Sequence, residues 1–307
     1  MKTVNSYMNK NIRKLLNKIS FIYYTTFVLV NNKDHYLLGQ SHGDLVKTYW
    51  FSARKNFGDL LTPELLRNYG LRPFYSSLES ADVVCVGSLL DNLPEEFPGF
   101  IVGTGLIQDI TRNFPRAKIM AVRGELTRER INAPKSTILG DPGLLADRLL
   151  NKRQIKQFLL GIVPHYHDKM DAKIHTLFHK NRSDIVIIDV QANPLTVLSN
   201  IDKCCHILSS SLHGIVTADS LGIPNAWIKL SGKVFGDGFK FFDYESAFGL
   251  KYEPIYLTGS EKISELQNLT HEVPDGVQKI KDDLDSVFIK LRNELLAVNQ
   301  ESDFKAG

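Results

Sequence analysis

Leu208-Ser209-Ser210-Ser211-Leu212-His213-Gly214-Ile215-Val216-Thr217-Ala218-Asp219-Ser220-Leu221-Gly222-Ile223-Pro224 holds a strand end, a polar turn and a helix in one stretch. Cys204 to Ser210 is a short apolar run of the buried-strand kind, and Leu212 to Leu221 reads as a helix. Gly222 and Pro224 break the pattern, and Asn225 to Leu230 is again strand-like. Strand, helix, strand at this spacing predicts a parallel α/β sheet. In such a sheet the carboxyl ends of the strands face the ligand crevice. The serines and His213 therefore stand where a ligand is expected, beside a helix start whose free N–H groups and positive dipole end suit a phosphate or carboxylate. Gly214 allows close backbone approach, and an imidazole with an unperturbed pKa of about 6.5 can donate or accept a proton. The bland alternative is a buried histidine bonded to backbone.

The same rhythm extends outward. Val46 to Ser52 reads as a strand, followed by the Asn56-Phe57-Gly58-Asp59 turn and a helix from Thr62 to Tyr69. Ala81 to Gly87, Phe100 to Gly103 and Ala117 to Arg123 are further strands, with helices at Glu125 to Ile131 and Leu144 to Leu150. It restarts with strands at Phe158 to Val163 and Asp184 to Val190, a polar helical stretch between them around Asp168 to His179, and a helix at Pro194 to Ile201. Val277, Ile280, Leu284, Val287, Phe288, Leu291 and Leu295 keep helical spacing and predict a long amphipathic helix. We place a boundary near Asn151 to Gln157, giving an N-terminal Rossmann-like domain at 46–153 and a C-terminal one at 154–307, each with its own core.

Residues 1–45 form a separate extension. Residues 1–33 carry six Lys/Arg and no acid, so the remaining 31 bases face 34 acids. A mildly acidic body is a poor nucleic-acid binder. In the extension, Met8, Ile12, Leu15, Leu16 and Ile19 recur at helical spacing among Lys10, Arg13, Lys14 and Lys18, and the apolar run Ile19 to Val30 is too short to cross a bilayer. Two readings stay open: an interfacial helix touching anionic lipid, or a tail followed by a packed strand. Hydrophobic content of 43% and charged content of 23% describe a globular chain. Three cysteines and no recognisable signal cleavage site favour the cytoplasm, with peripheral contact at the inner face of the membrane if the lipid reading holds.

Ser210-Ser211-Leu212-His213-Gly214, running into Ala218 and Gly222-Ile223-Pro224, resembles the signature of polysaccharide pyruvyl transferases. Asn56-Phe57-Gly58-Asp59 is similar to that family's first strand–helix turn, and Gly103-Thr104-Gly105 to its glycine-rich loop. Ala121-Val122-Arg123-Gly124-Glu125, Gly140-Asp141-Pro142 and Lys240-Phe241-Phe242-Asp243-Tyr244 follow in the same order, so the resemblance covers roughly residues 46–250. It implies a GT-B-like fold, two Rossmann-like domains with parallel sheets and a cleft between them. It also implies phosphoenolpyruvate as donor and co-substrate, a saccharide acceptor, lipid-linked or free, and a pyruvate ketal as product.

Such chemistry needs a general acid, a base for the hydroxyls and cations for a trianionic donor. His213 and Asp59 are the candidates for acid and base. Arg123, Lys240, Ser210, Ser211 and Gly214 are the candidates for donor binding, with Asn56, Gly58, Gly103 and Gly105 as further cleft residues. Each has a structural alternative: Asp59 as a helix cap, Arg123 in an internal ion pair, Lys240 on a solvated helix face. Several members of the family have arginine where this chain has Ser211, which would leave the anion to Arg123, Lys240 and the helix start.

His165-Tyr166-His167 has metal-pair spacing without an evident third ligand, and no Walker run or dinucleotide fingerprint occurs. We therefore expect neither a metal nor a bound cofactor. The competing functions are a glycosyltransferase using a nucleotide-sugar donor, and a non-enzymatic scaffold derived from the same fold.

Overall fold

The computed structural model describes residues 44–306, with side chains to residue 297. The proposed lipid-contacting helix and the apolar run after it lie outside the described residues. Among the described residues, no helix is long and apolar enough to cross a membrane.

Two parallel sheets carry the chain. The first is built from β1 (Leu45–Tyr49), β2 (Arg72–Tyr75), β3 (Val83–Val84), β4 (Phe100–Val102), β5 (Lys118–Val122) and β6 (Ile138–Leu139), in the order β2-β1-β3-β4-β5-β6. The second contains β7 (Phe158–Val163), β8 (Ile185–Ile187), β9 (Cys204–Ser209) and β10 (Asn225–Trp227), in the order β10-β9-β7-β8. Strand order reverses between β1 and β3 in one sheet and between β7 and β9 in the other. Each reversal opens a crevice beyond the carboxyl ends of the two strands. Two α/β lobes with parallel sheets and a cleft between them form the GT-B-like arrangement expected from the sequence.

The helices are α1 (Phe57–Asn68), α2 (Glu125–Arg130), α3 (Ala172–Lys180), α4 (Pro194–Asp202), α5 (Leu212–Ser220), α6 (Phe239–Ser246), α7 (Ile263–Asn268) and α8 (Val277–Ala306). A 3-10 helix covers Pro142–Leu149, where the sequence suggested an α-helix.

Helix α1 begins five residues before the expected Thr62. Thr62-Pro63 reads as a cap followed by a first-turn proline, yet Pro63 sits inside the helix. The start is fixed from outside, because Phe57 N–H donates to Val190 O of the other lobe at 2.7 Å. The Thr62 hydroxyl is used instead to accept Val86 N–H at 3.1 Å.

The lobes do not have fully separate cores. One apolar cluster joins Val46, Phe57, Leu61 and Leu65 of the first lobe to Val163, Val190, Val197 and Leu212 of the second. A smaller cluster lies under β3, β4 and β5, and another beneath β7, β8 and β10.

Helix α8, assigned from sequence to the second domain, packs on the first. Phe288 stacks on Tyr69 with ring centroids 4.7 Å apart. Arg148 pairs with Asp285 at 2.7 Å, and Lys281 with Asp147 at 2.7 Å. Ile280 packs so closely over Gly140 that a Cβ there would lie 2.5 Å from it. Amphipathic spacing announces that a helix buries one face but not which lobe receives it.

Candidate active site

Both sheet crevices open into one cavity of about 210 Å³ between the lobes. The first lobe supplies Tyr49 and Phe51 after β1, Asn56 and Asp59 at the start of α1, and Gly87, Ser88, Leu89 and Asn92 after β3. The second supplies His165 and Tyr166 after β7, Ser211, Leu212 and His213 at the start of α5, and Phe235 and Lys240 around the start of α6. Three helices, α1, α5 and α6, thus begin at the cavity wall. Their unpaired N–H groups and positive dipole ends favour an anion there.

His213 sits in the first turn of α5 and is 6% exposed. Its ring lies over Gly58, where an added Cβ would fall 1.9 Å from Nδ1. The opposite edge faces the first lobe: Nε2 stands 3.6 Å from Asp141 Oδ2. Asp59, one residue beyond Gly58, accepts a hydrogen bond from Asn56 Nδ2 at 2.7 Å. Burial pushes its carboxyl above the usual range, opposed by His213, the Asn56 hydrogen bond and the charge of Lys240. Asp59 is therefore not the cap of α1; Asn56 occupies that position.

Lys240 is 8% exposed and lies on no solvated face. Burial, with Arg123 nearby, lowers its ammonium to about 8, while Asp59 and Asp168 pull the other way. It has no ion-pair or hydrogen-bond partner among the described residues, and stands 5.7 Å from the Phe241 ring. A buried cation without a counter-ion is costly, and an anionic ligand would relieve that cost. Ser211 caps nothing in α5 with its side chain, which leaves its hydroxyl for the cavity.

Five expected residues are not brought to the cavity wall, and each has a structural task. Arg123 is fully buried, with Nε 2.8 Å from Asp243 Oδ2, NH1 2.6 Å from Ser88 Oγ, and NH2 on the carbonyl of Leu106. With its three nitrogens engaged inside the protein, it does not grip the donor. Gly105 leaves room for that guanidinium, since a Cβ there would lie 2.5 Å from its Cζ. Gly103 has a φ of 73° and backs onto Pro142, so the glycine-rich loop makes room for protein rather than ligand. Ser210 Oγ accepts the His165 N–H at 2.9 Å. Gly214 lets α5 approach β9, because a Cβ would fall 2.2 Å from Ser209 Oγ.

Other cavity residues were passed over in the sequence. His165 was weighed only as half of a metal pair, although it follows β7 just as Ser211 follows β9. Burial, then the charges of Lys240, His167 and Arg54, lowers its imidazole to about 3, so it is neutral near pH 7. His165 Nδ1 accepts the His167 N–H at 3.3 Å, which leaves Nε2 as the protonated nitrogen and a hydrogen-bond donor. Among the described residues, no group of three His, Cys, Asp or Glu side chains could hold a metal ion. Arg54 stands 5.4 Å over the Tyr166 ring at the same wall. Tyr49, Ser88, Asn92 and Phe235 carried no motif signal.

A model of the polysaccharide pyruvyl transferase family matches residues 4–232. Among curated proteins, an uncharacterised protein of Acanthamoeba polyphaga mimivirus is 37% identical over 160 residues, covering 49% of this chain and 55% of that protein. The succinoglycan biosynthesis protein ExoV of Rhizobium meliloti (strain 1021) is 26% identical over 212 residues, covering 67% of this chain and 66% of that protein. The chain thus spans between about half and two thirds of the length of these relatives. Among solved structures, the wall teichoic acid polymerase TagF soaked with CDPG aligns over 95% of this chain and 99% of its own, at 10% identity and a TM-score of 0.45.

Proposed function

The chain belongs to the polysaccharide pyruvyl transferase family, and from that membership we propose that it moves the pyruvyl group of phosphoenolpyruvate onto two hydroxyls of one sugar during surface-glycan assembly. The observation that carries this reading is Lys240, a buried ammonium without a counter-ion facing a cavity at which three helix starts converge. Phosphoenolpyruvate brings three negative charges on a small body. A cavity of about 210 Å³ suits it better than a nucleotide sugar, since pockets for drug-sized ligands run to about 300–1,000 Å³.

In this reading Lys240, the Ser211 hydroxyl and the α5 N–H groups hold the donor's anionic groups, and neutral His165 donates a further hydrogen bond. Protonation of the donor methylene makes C2 electrophilic, and a sugar hydroxyl attacks it. Phosphate leaves, and a second hydroxyl closes the ketal. The methylene gains one proton, the two hydroxyls lose two, and phosphate departs with the other as the monohydrogen dianion. Asp59 and His213 are the two groups placed to exchange these protons, on opposite lips of the cavity. Burial keeps Asp59 protonated to a higher pH than a free carboxyl, which suits it to the acid role.

The test is incubation of the protein with phosphoenolpyruvate and a galactoside or hexosamine acceptor. Phosphate release matched by a sugar gaining one pyruvate ketal is the expected outcome, and it is lost in His213→Ala. Inertness towards phosphoenolpyruvate, with release of nucleoside diphosphate from a nucleotide sugar instead, would overturn the reading. A glycan unchanged by His213→Ala would favour a scaffold.

A further inference from the structure

The wall behind His213 holds two polar atoms with nothing to bond. Asp141 Oδ2 and His213 Nε2 are both buried and both lack a hydrogen-bond partner among the described residues, yet they face each other at 3.6 Å. Asp141 is fully buried. Its other oxygen, Oδ1, accepts the Gly143 N–H at 2.8 Å and so opens the 3-10 helix Pro142–Leu149. That bond fixes the carboxylate plane and leaves Oδ2 pointing from the first lobe at an imidazole of the second. Gly143 and Gly58 keep the space beside the ring clear, since an added Cβ would lie 3.5 Å from His213 Cδ2 at the first and 1.9 Å from Nδ1 at the second.

We infer that Asp141 is the positioning residue of the reaction centre: it takes the His213 Nε2 proton as a hydrogen bond and leaves Nδ1 free to receive the proton of the attacking sugar hydroxyl. The separation is a few tenths of an ångström beyond a good hydrogen bond, and such contacts commonly shorten when substrate binds. A buried carboxylate oxygen and a buried ring nitrogen left apart would each bear a desolvation penalty that the bond removes. In the step itself the hydroxyl O–H bond breaks, its electron pair forms the bond to donor C2, and the proton passes to Nδ1. The resulting imidazolium lies against the Asp141 carboxylate, which offsets its charge until the proton leaves with phosphate. His213 is thereby the base of the pair, and Asp59 the acid. The inference rests on the pyruvyl-transfer reading for the identity of the attacking group, but the tautomer it requires belongs to the ligand-free protein.

The experiment is nitrogen NMR of histidine-labelled full-length protein, with His213 assigned by its loss in His213→Gln. Above the pH at which the ring titrates, wild type is expected in the Nε2–H form. Asp141→Asn should convert it to the Nδ1–H form, because the Gly143 N–H demands the amide oxygen and turns the amide nitrogen towards Nε2. The same variant should lose about 10²- to 10⁴-fold in kcat, with phosphoenolpyruvate binding held within about two-fold. Wild-type His213 in the Nδ1–H form overturns the proposal, as does a folded Asp141→Asn protein whose kcat stays within about three-fold. If that variant does not fold, the wild-type tautomer decides alone. If no turnover of phosphoenolpyruvate is found with any acceptor, the proposed function fails while the tautomer still tests the role of Asp141.

Discussion

Two buried cations approach the cavity, and they differ in one respect. Arg123 ends β5 with its guanidinium shared among Asp243, Ser88 and the Leu106 carbonyl. Lys240 lies one turn before Asp243 on α6 and has no such partners among the described residues. Asp243 also accepts the Thr127 N–H and the Thr127 hydroxyl, each at 2.6 Å, and so caps α2 from the opposite lobe, where the Gly124 cap position offers no side chain. Arg123 therefore fastens the lobes together, and Lys240 is left to face what enters between them. Charge and position in a motif do not separate these roles. The number of partners already taken does.

The sharpest way to break the contrast is Arg123→Ala, which strands the Asp243 carboxylate in the interior and should cost about 3–5 kcal/mol of stability. Urea unfolding reads it; a variant that unfolds like wild type and has only lost donor affinity would return Arg123 to the site. Gly58→Ala should act on chemistry instead, because its Cβ would fall 1.9 Å from His213 Nδ1 and displace the ring. A loss of about 10²-fold in kcat is expected, with a near-native melting temperature. Lys240→Met should raise the KM for phosphoenolpyruvate by about 10- to 100-fold, the worth of a charged hydrogen bond. Its stability should hold or rise, since a buried charge is removed. Gly105→Ala, whose Cβ would lie 2.5 Å from Arg123 Cζ, should cost about 1–3 kcal/mol of stability and leave KM unchanged.

The smallest effect is in pH. Lys240 titrates at about 8 in the fold, against about 10.4 when free. Between those values the unfolded chain holds the proton and the folded one does not, so this group makes stability rise with pH across the window. Donor affinity should move the opposite way, with kcat/KM falling above about pH 8 in wild type and that limb absent in Lys240→Met. A profile identical in the two proteins would detach the limb from Lys240.

The strand runs, the order of motifs and the helix after Ser211 were legible because each is a local pattern of apolar residues and breakers. His213, Asp59, Ser211, Asn56 and Lys240 could be read as cavity residues because they follow strand ends or open helices. Arg123 also ends a strand and carries the right charge, but its partner Asp243 lies 120 residues away and only folding joins them. Gly103 and Gly105 look like a phosphate loop, yet their missing side chains accommodate Pro142 and a guanidinium. The 3-10 helix and the two-residue strands β3 and β6 are too short for periodicity to define. His165 was visible but misassigned, because its spacing to His167 drew attention from its place after β7.

Helix α8 is the last element of the fold, yet Leu284, Phe288 and Leu291 complete apolar packing against the first lobe. During synthesis that lobe emerges early and must wait, with part of its apolar surface uncovered, until the rest of the chain has left the ribosome. At about 5–20 residues per second the delay is on the order of ten seconds or more. The interval in which the nascent chain is open to aggregation or to a holding chaperone is thus set by the length of the second lobe, and slow codons there would lengthen it.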